Sequence, residues 1–478
     1  MTRPRRTAVV AALAALLVGL SGCTTEPEPV PTPVPMPTHA STPLGAKWVW
    51  SDFDRIKPAL GELTGGHTYV EVVLCDVQPS RGEFDWSTPD SFVQRARGIG
   101  VGSLVKLRTG RCWATPGTAK FARGQGVTES TLPRDMDVYT DFVQRAVRRY
   151  AALGVTEFAV ENEVNSPSFW DGTPQDYAVL ARAAARAVHA ADPDAVVVDG
   201  AVSSAGAGYA LVASLLAAGR DAEALSTYRT YYARRFGTRE GDAAIDDVST
   251  VAGLRAELAR PGPSSMVRFT DAIDGLFREG VFQVRQVHFY EPWQALPAML
   301  AFVRARTPEG VPLELWELGI YDEDRSPAAG ERTAEVVKST VIALGAGVRK
   351  VLWLPFLDNP DGRQGQNLHG LLTASGDVRG AFSAFALVSR AAADDAPVAG
   401  VRRAGLAGAT FGSTRPTVVA WATGGSVRVP TVPGATGEVL DGDTTVGATS
   451  PAATTVTGQP VLITTTTGPA SALEEITQ

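Results

Sequence analysis

The stretch Glu157–Ala201, EFAVENEVNSPSFWDGTPQDYAVLARAAARAVHAADPDAVVVDGA, decides how the chain folds. It opens on an apolar run that breaks off at Glu161-Asn162-Glu163, passes through turn residues, and closes on a second β-rich run, Ala195 to Ala201. Between the two runs Thr173 is placed to cap a helix, Pro174 to take its first position, and Asp176 to stand in the first turn, where the dipole favours an anion. Tyr177, Leu180, Ala184 and Val188 then recur at helical spacing and give that helix one face to lay on a sheet. Strand, crossover helix and strand make the repeating unit of a parallel sheet.

Working outward, the same alternation predicts eight strands: Lys47 to Phe53, Thr68 to Cys75, Gly102 to Thr109, Glu157 to Glu163, Ala195 to Ala201, Val284 to Tyr290, Pro312 to Leu318 and Lys350 to Phe356. Eight such units between residues 44 and 394 predict an α/β fold, a (β/α)8 TIM barrel. An open doubly wound sheet is the alternative, but no Gly-rich phosphate loop follows the first strand. The long stretch 203–282 contains helix-like segments and reads as a helical insertion over the barrel mouth. From 395 to 478 the texture changes to short Thr/Val runs such as PTVVAWAT and PVLITTT, which predict a small C-terminal antiparallel β domain.

The chain has 478 residues, a formal net charge of -7 and a pI near 5.5, with no long Lys/Arg run, so nucleic acid is excluded as a partner. Arg3, Arg5 and Arg6 precede an uncharged run from Thr7 to Gly22, the layout of an export signal. Leu20-Ser21-Gly22-Cys23 resembles the lipobox of bacterial lipoproteins, which implies a signal peptide over 1–22, acylation of Cys23, and an extracytoplasmic protein anchored to the cell membrane by lipid. A plain signal peptide is the other reading. Residues 23–43, with seven prolines after Thr24, read as an extended stalk. In an exported protein Cys75 and Cys112 are either a disulfide pair or two buried thiols.

In a parallel barrel the chemistry sits where strands end. Glu163 ends the fourth predicted strand and Glu317 the seventh, so the two carboxylates are expected to face each other across the mouth. Retaining glycosidases hold such a pair about 5 to 5.5 Å apart. Period-two alternation sends Glu314 to the face opposite Glu317, while Glu161 shares the parity of Glu163 two residues deeper, as a supporting acid. Trp50, Trp113, Trp170, Trp293, Trp316 and Trp353 fall at or just past strand ends, where aromatic faces suit the C–H faces of sugars. Trp316, of opposite parity to Glu317, is expected to fill core.

Four motifs stand in order at strand ends: ENEV, HFY, WELG and VLWLPF, together with VQPSRGEFDW after the second strand. In these the chain resembles the retaining glycoside hydrolases of clan A, which include β-xylosidases, cellulases, mannanases and β-galactosidases, from about Trp48 to Phe385. The resemblance implies Glu163 as acid/base, Glu317 as nucleophile, Asn162 on the sugar 2-hydroxyl, Tyr290 on the nucleophile, His288 beside them and Trp353 as subsite floor. Trp50, Trp170 and Trp293 are further candidates for sugar contact. No metal and no cofactor is required. Many clan members carry an arginine near the end of strand two; TYVEVVLCDV has none, leaving Lys106, Arg108 or Arg111 as substitutes. A non-catalytic carbohydrate-binding lipoprotein on the same barrel is the competing reading, and a metal-dependent hydrolase is disfavoured by five histidines without a His-x-His.

Overall fold

Eight parallel strands form the barrel: β1 (Leu44–Ala46), β2 (His67–Val73), β3 (Gly102–Arg108), β4 (Glu157–Val160), β5 (Val196–Val198), β6 (Arg285–Phe289), β7 (Leu313–Leu318) and β8 (Val348–Trp353). The computed structural model describes residues 30–120, 128–238, 244–322, 327–359, 368–393, 398–412, 416–430, 435–442, 450–451 and 455–465. The export signal and Cys23 lie outside them. Hydrogen-bonded ladders give two half-barrels, ordered β1-β8-β7-β6 and β2-β3-β4-β5. One seam closes through a parallel bridge between Val198 and Val284. At the other, β1 and β2 approach so closely that a Cβ on Gly45 would lie 1.9 Å from the His67 carbonyl oxygen, which only glycine permits.

The helices are α1 (Phe53–Leu60), α2 (Leu74–Val77), α3 (Ser87–Gly98), α4 (Met136–Ala151), α5 (Pro174–Ala191), α6 (Ser204–Ala217), α7 (Asp221–Tyr231), α8 (Val251–Ala259), α9 (Pro261–Arg278), α10 (Leu296–Ala305), α11 (Ala329–Gly345) and α12 (Gly380–Ala391). In α5 the Thr173 hydroxyl accepts from the Asp176 N–H while the Asp176 carboxylate accepts from the Thr173 N–H, a reciprocal capping box. The insertion after β5 is helical, as α6 to α9. The first expected strand is corrected: β1 is Leu44–Ala46, and the chain is already helical from Trp50. Phe53, Ile56, Ala59 and Leu60 bury one helical face there, and that spacing overrides the β preference of the tryptophans before it.

Tyr69, Leu104, Ala159, Val198, Val284, Trp316 and Leu352 form one apolar cluster. Side chains from six strands and from Val284, just before β6, can meet only in the lumen, so these residues are its middle layer. The parity expected of β7 therefore fails. β6 pairs Val287 with Leu315 but His288 with Glu317, which makes Trp316 the extra residue of a β-bulge. Trp316 does fill core, but that core is the lumen, where its indole N–H donates to Glu314 at 2.7 Å. Glu314, Trp316 and Glu317 thus all point inward. Below the apolar layer Glu314 and Glu157 share Lys350 and Arg349.

After the barrel, β14-β13-β16-β11-β10-β9 form an antiparallel sheet, with β9 (Val398–Gly400), β10 (Leu406–Phe411), β11 (Thr417–Ala422), β13 (Ala435–Val439), β14 (Ser450–Pro451) and β16 (Val461–Thr465); β12 (Val427–Arg428) pairs with β15 (Thr455–Val456). One face has its own apolar cluster, including Leu406, Val418 and Ile463. The other face places Phe411, Trp421 and Leu462 in the same core as the barrel helices. The expected stalk is also corrected from Val34 on. Val34 accepts from Arg97 and donates to Gln94, and Thr42 bonds Ser389, so this part lies along the barrel. Cys75 and Cys112 are joined as a disulfide, their Cα atoms 5.5 Å apart.

Removing the Trp316 indole should leave a void that the rigid lumen cannot close. Trp316→Ala is expected to lose about 3 to 5 kcal/mol of stability, read as a lower urea midpoint.

Candidate active site

The site is built where β4 ends against β5. Glu161 and Glu163 adopt φ of 70° and 39°, a left-handed conformation that non-glycine residues avoid unless their surroundings impose it. Those surroundings are visible: the Glu161 N–H donates to Leu107 O at 3.0 Å and the Glu163 N–H to Gly200 O at 2.8 Å. The Tyr177 hydroxyl of α5 binds both Val160 O and Gly200 N, so the helix of the opening stretch pins its own strand ends. Gly200 is required, since a Cβ there would lie 2.5 Å from Val160 O. The twisted backbone turns Asn162 and Glu163 toward the same mouth, which strict alternation forbids.

Glu163, His288 and Glu317 bring one side-chain atom each within 4.8 Å of one another. Glu317, only 5% exposed, accepts Lys106 Nζ at 2.8 Å and the Tyr69 hydroxyl at 2.9 Å on Oε1, and the Tyr290 hydroxyl at 2.7 Å on Oε2. Burial alone would raise its pKa; the charges of His288 and Lys106 and the hydrogen bonds from Lys106 and Tyr290 outweigh burial and hold it down at about 2. Burial and the Glu317 charge push both tyrosines well above their usual range, so they remain donors.

His288 links the two carboxylates. Its Nδ1 lies 3.0 Å from Glu163 Oε1 and 3.3 Å from Glu317 Oε2. Gln286 must turn its Nε2 to the Asp199 carbonyl, so its Oε1 faces His288 Nε2 at 3.2 Å and receives that N–H. The Glu163–Nδ1 contact then needs a proton of its own, on one side or the other. The same three residues are the donor set that could be offered to a metal. Glu317, however, already accepts an ammonium and two phenols, and the ammonium opposes a second cation.

Around this centre lies a ring of charges, of which the sequence reading offered Lys106, Arg108 and Glu161 and missed Lys47 and Glu71. Lys106 also donates to Asn162 Oδ1 at 2.5 Å, leaving the amide N–H₂ for a ligand. Lys47, pulled down to about 8 by burial against the opposing pull of Glu71, stands over the Tyr69 ring at 4.5 Å. Burial works to raise Glu71, but Arg108, Lys47 and Lys106 hold it below the usual range. Burial lifts Glu161 to about 7, and Arg108 lies 3.7 Å away. The available signal was parity: Tyr69 and Glu71 on β2, and Lys106 and Arg108 on β3, recur every second residue in apolar strands, and such groups must face a shared polar interior.

The structure does not bring the four candidate tryptophans to this mouth. Trp353 is fully buried with its indole N–H toward His369 O, so it presents no floor. Trp50 is stacked on Phe92 at 4.6 Å, and Trp170 is 3% exposed with its edge toward Tyr177. Trp293 packs against Trp421 of the C-terminal sheet. A strand-end position does not say which way an aromatic side chain turns, and here three of the four complete the core.

No family model and no curated protein sequence matches the chain. Its structure is similar to that of a family 39 glycoside hydrolase from Bacteroides cellulosilyticus, with TM-score 0.58 and 13% identity over 89% of this chain and 81% of the other. A family 39 β-xylosidase from Caulobacter crescentus matches with TM-score 0.55 and 14% identity over 92% and 98% of the two chains. A family 30 endoxylanase from Clostridium papyrosolvens matches with TM-score 0.51 and 13% identity over 89% and 97%. The fold is the barrel of these glycoside hydrolases. At such identity the likeness is one of architecture.

Because Glu317 ionises near 2 in the folded chain and near 4.5 otherwise, its contribution to stability is full above about 4.5 and is lost as pH falls toward 2. Glu317→Gln lacks that dependence. Relative to wild type, the variant should gain stability as pH falls through this window, measured by thermal melts at a series of pH values.

Proposed function

We propose that the chain is an exported, lipid-anchored retaining β-glycosidase that cleaves a poly- or oligosaccharide by double displacement. The observation that carries this reading is the pair of carboxyl groups with oxygens within 4.8 Å, one of them held as an anion. A pair about 5 to 5.5 Å apart suits a retaining reaction, whereas inversion needs about 6.5 to 9.5 Å to admit a water. The lipid anchor is supported by the Arg-rich start and Leu20-Ser21-Gly22-Cys23.

In the first step a Glu317 oxygen attacks the anomeric carbon as the bond to the leaving oxygen breaks, and that oxygen takes its proton from Glu163. The proton lodged between Glu163 and His288 is positioned for this transfer. In the second step Glu163 takes a proton from water, whose oxygen attacks the same carbon and frees the Glu317 carboxylate. Asn162, oriented through Lys106, offers its amide to the sugar 2-hydroxyl. Lys106 also removes the best argument for a non-catalytic binding protein, since it holds Glu317 where the expected arginine is missing.

Glu317→Ala should lower turnover of aryl β-glycosides at least ~1,000-fold, with partial rescue by azide. The wild-type product should first appear, by proton NMR, with the anomeric configuration of the substrate. Near-normal hydrolysis by the variant, or an inverted product, would overturn the assignment. Lys106→Met removes an ammonium that lowers the Glu317 pKa, so the acid limb of kcat/KM should move up from about 2 toward 4.5. An unmoved acid limb would deny Lys106 that role.

A further inference from the structure

Gln286 and His288 lie two residues apart on β6, share its inward face and are buried. Beneath them Asp199, just after β5, is held on both sides: its carboxylate oxygens accept the backbone N–H groups of Gln286 at 2.7 Å and of Ala201 at 3.1 Å. The side-chain amide of Gln286 donates to the Asp199 backbone carbonyl. A flipped amide would set two carbonyl oxygens against each other in a place closed to solvent, so its orientation is fixed.

The fixed amide leaves one role for its oxygen. Oε1 lies 3.2 Å from His288 Nε2 and can only accept, so that nitrogen carries a hydrogen. The ring can then gain or lose a proton only at Nδ1, which faces Glu163 Oε1 at 3.0 Å and Glu317 Oε2 at 3.3 Å. Loss of the proton between Nδ1 and Glu163 would leave a ring lone pair against two carboxylates. Shifting the remaining hydrogen to Nδ1 would not relieve this, because Nε2 would then turn a lone pair on the Gln286 oxygen.

We propose that Gln286 is a positioning residue that keeps the hydrogen of His288 on Nε2 and thereby holds the shared proton at Glu163. Glu163 stays able to protonate a leaving oxygen to a higher pH than it otherwise would. This consequence rests on the reading of Glu163 as acid/base; the hold of Gln286 on the ring does not. The groups around the ring come from every side: Glu163 after β4, and Glu317 of β7 with its partners Lys106, Tyr69 and Tyr290. Asp199, pushed up to about 6 by burial against the pull of Arg285, lies below. Its carboxylate is bound through the backbone of Gln286, so changing that side chain leaves those bonds in place.

The test is the pH profile of kcat/KM on phenyl β-glycosides, whose poor leaving group needs the acid, beside nitrogen-15 NMR of the histidine rings in the full chain. Gln286→Met keeps the reach of the side chain and removes the acceptor. Its basic limb should move down by about one pH unit, a tenfold change of the size one charge-assisted hydrogen bond makes. The His288 signals are identified by their absence from His288→Asn. In wild type Nε2 should stay protonated wherever the chain is folded, whereas in Gln286→Met the neutral ring should carry its hydrogen on Nδ1. A bare Nε2 in wild type, or an unmoved basic limb in a folded Gln286→Met, overturns the role of Gln286. Either result with hydrolysis intact sinks this assignment alone. The expected ring states in a chain that hydrolyses no glycoside sustain the hold of Gln286 on His288 and remove the enzymatic reading.

Discussion

A carboxylate that is 5% exposed inside a barrel must find its solvation in protein groups, and Glu317 sets that demand for the whole mouth. Its donors come from β2 (Tyr69), β3 (Lys106) and the end of β6 (Tyr290), with His288 Nδ1 3.3 Å away. Since β7 belongs to one half-barrel and β2 and β3 to the other, the buried charge spans the lumen and joins two sheets whose seams have little ladder of their own. The far end repeats the device with Glu157 of β4 against Arg349 and Lys350 of β8. Such pairs add little net stability over a well-packed apolar lumen, because desolvation offsets attraction. Their effect is on register, because a slipped strand would carry each charge away from its partners.

Both carboxylates of the centre stand on irregular backbone. Glu163 is held at positive φ, and Glu317 follows the bulged Trp316. In each case regular alternation would turn the side chain elsewhere, and neighbours hold the exception in place: Gly200 and Tyr177 at β4, the Trp316–Glu314 bond at β7. Strain retained by surrounding contacts is common where function fixes a side chain.

Much of the barrel was legible, because apolar runs bounded by turn residues mark seven of the eight strands, and the Thr173 cap marked the start of α5 to the residue. β1 was not, since Leu-Gly-Ala has no strand signature and owes its place to what Gly45 lets β2 do. Glu163, Glu317, His288, Tyr290 and Asn162 were found at strand ends and lie together. Glu314 was sent to the wrong face, because no property of LELWEL announces a bulge. The tryptophans were misplaced for a different reason: composition counts aromatic surface, but rotamer and neighbours decide which surface is shown.

The C-terminal sheet bears on the same chemistry through α11. Most α11 residues are buried, including polar ones such as Thr333, Glu335, Lys338 and Ser339, which a helix with one solvent face would not show. It is a middle layer, with the barrel on one side and Phe411, Trp421 and Leu462 of the sheet among its core neighbours. Lys338 and Glu335 are therefore buried by the sheet but meet Trp293, which follows β6 and Tyr290. Covering α11 with a sheet excludes water from one helix face and leaves polar groups on it that water would otherwise satisfy. The sheet thus decides which polar groups of α11 are kept from water, as the lumen does for the groups around Glu317.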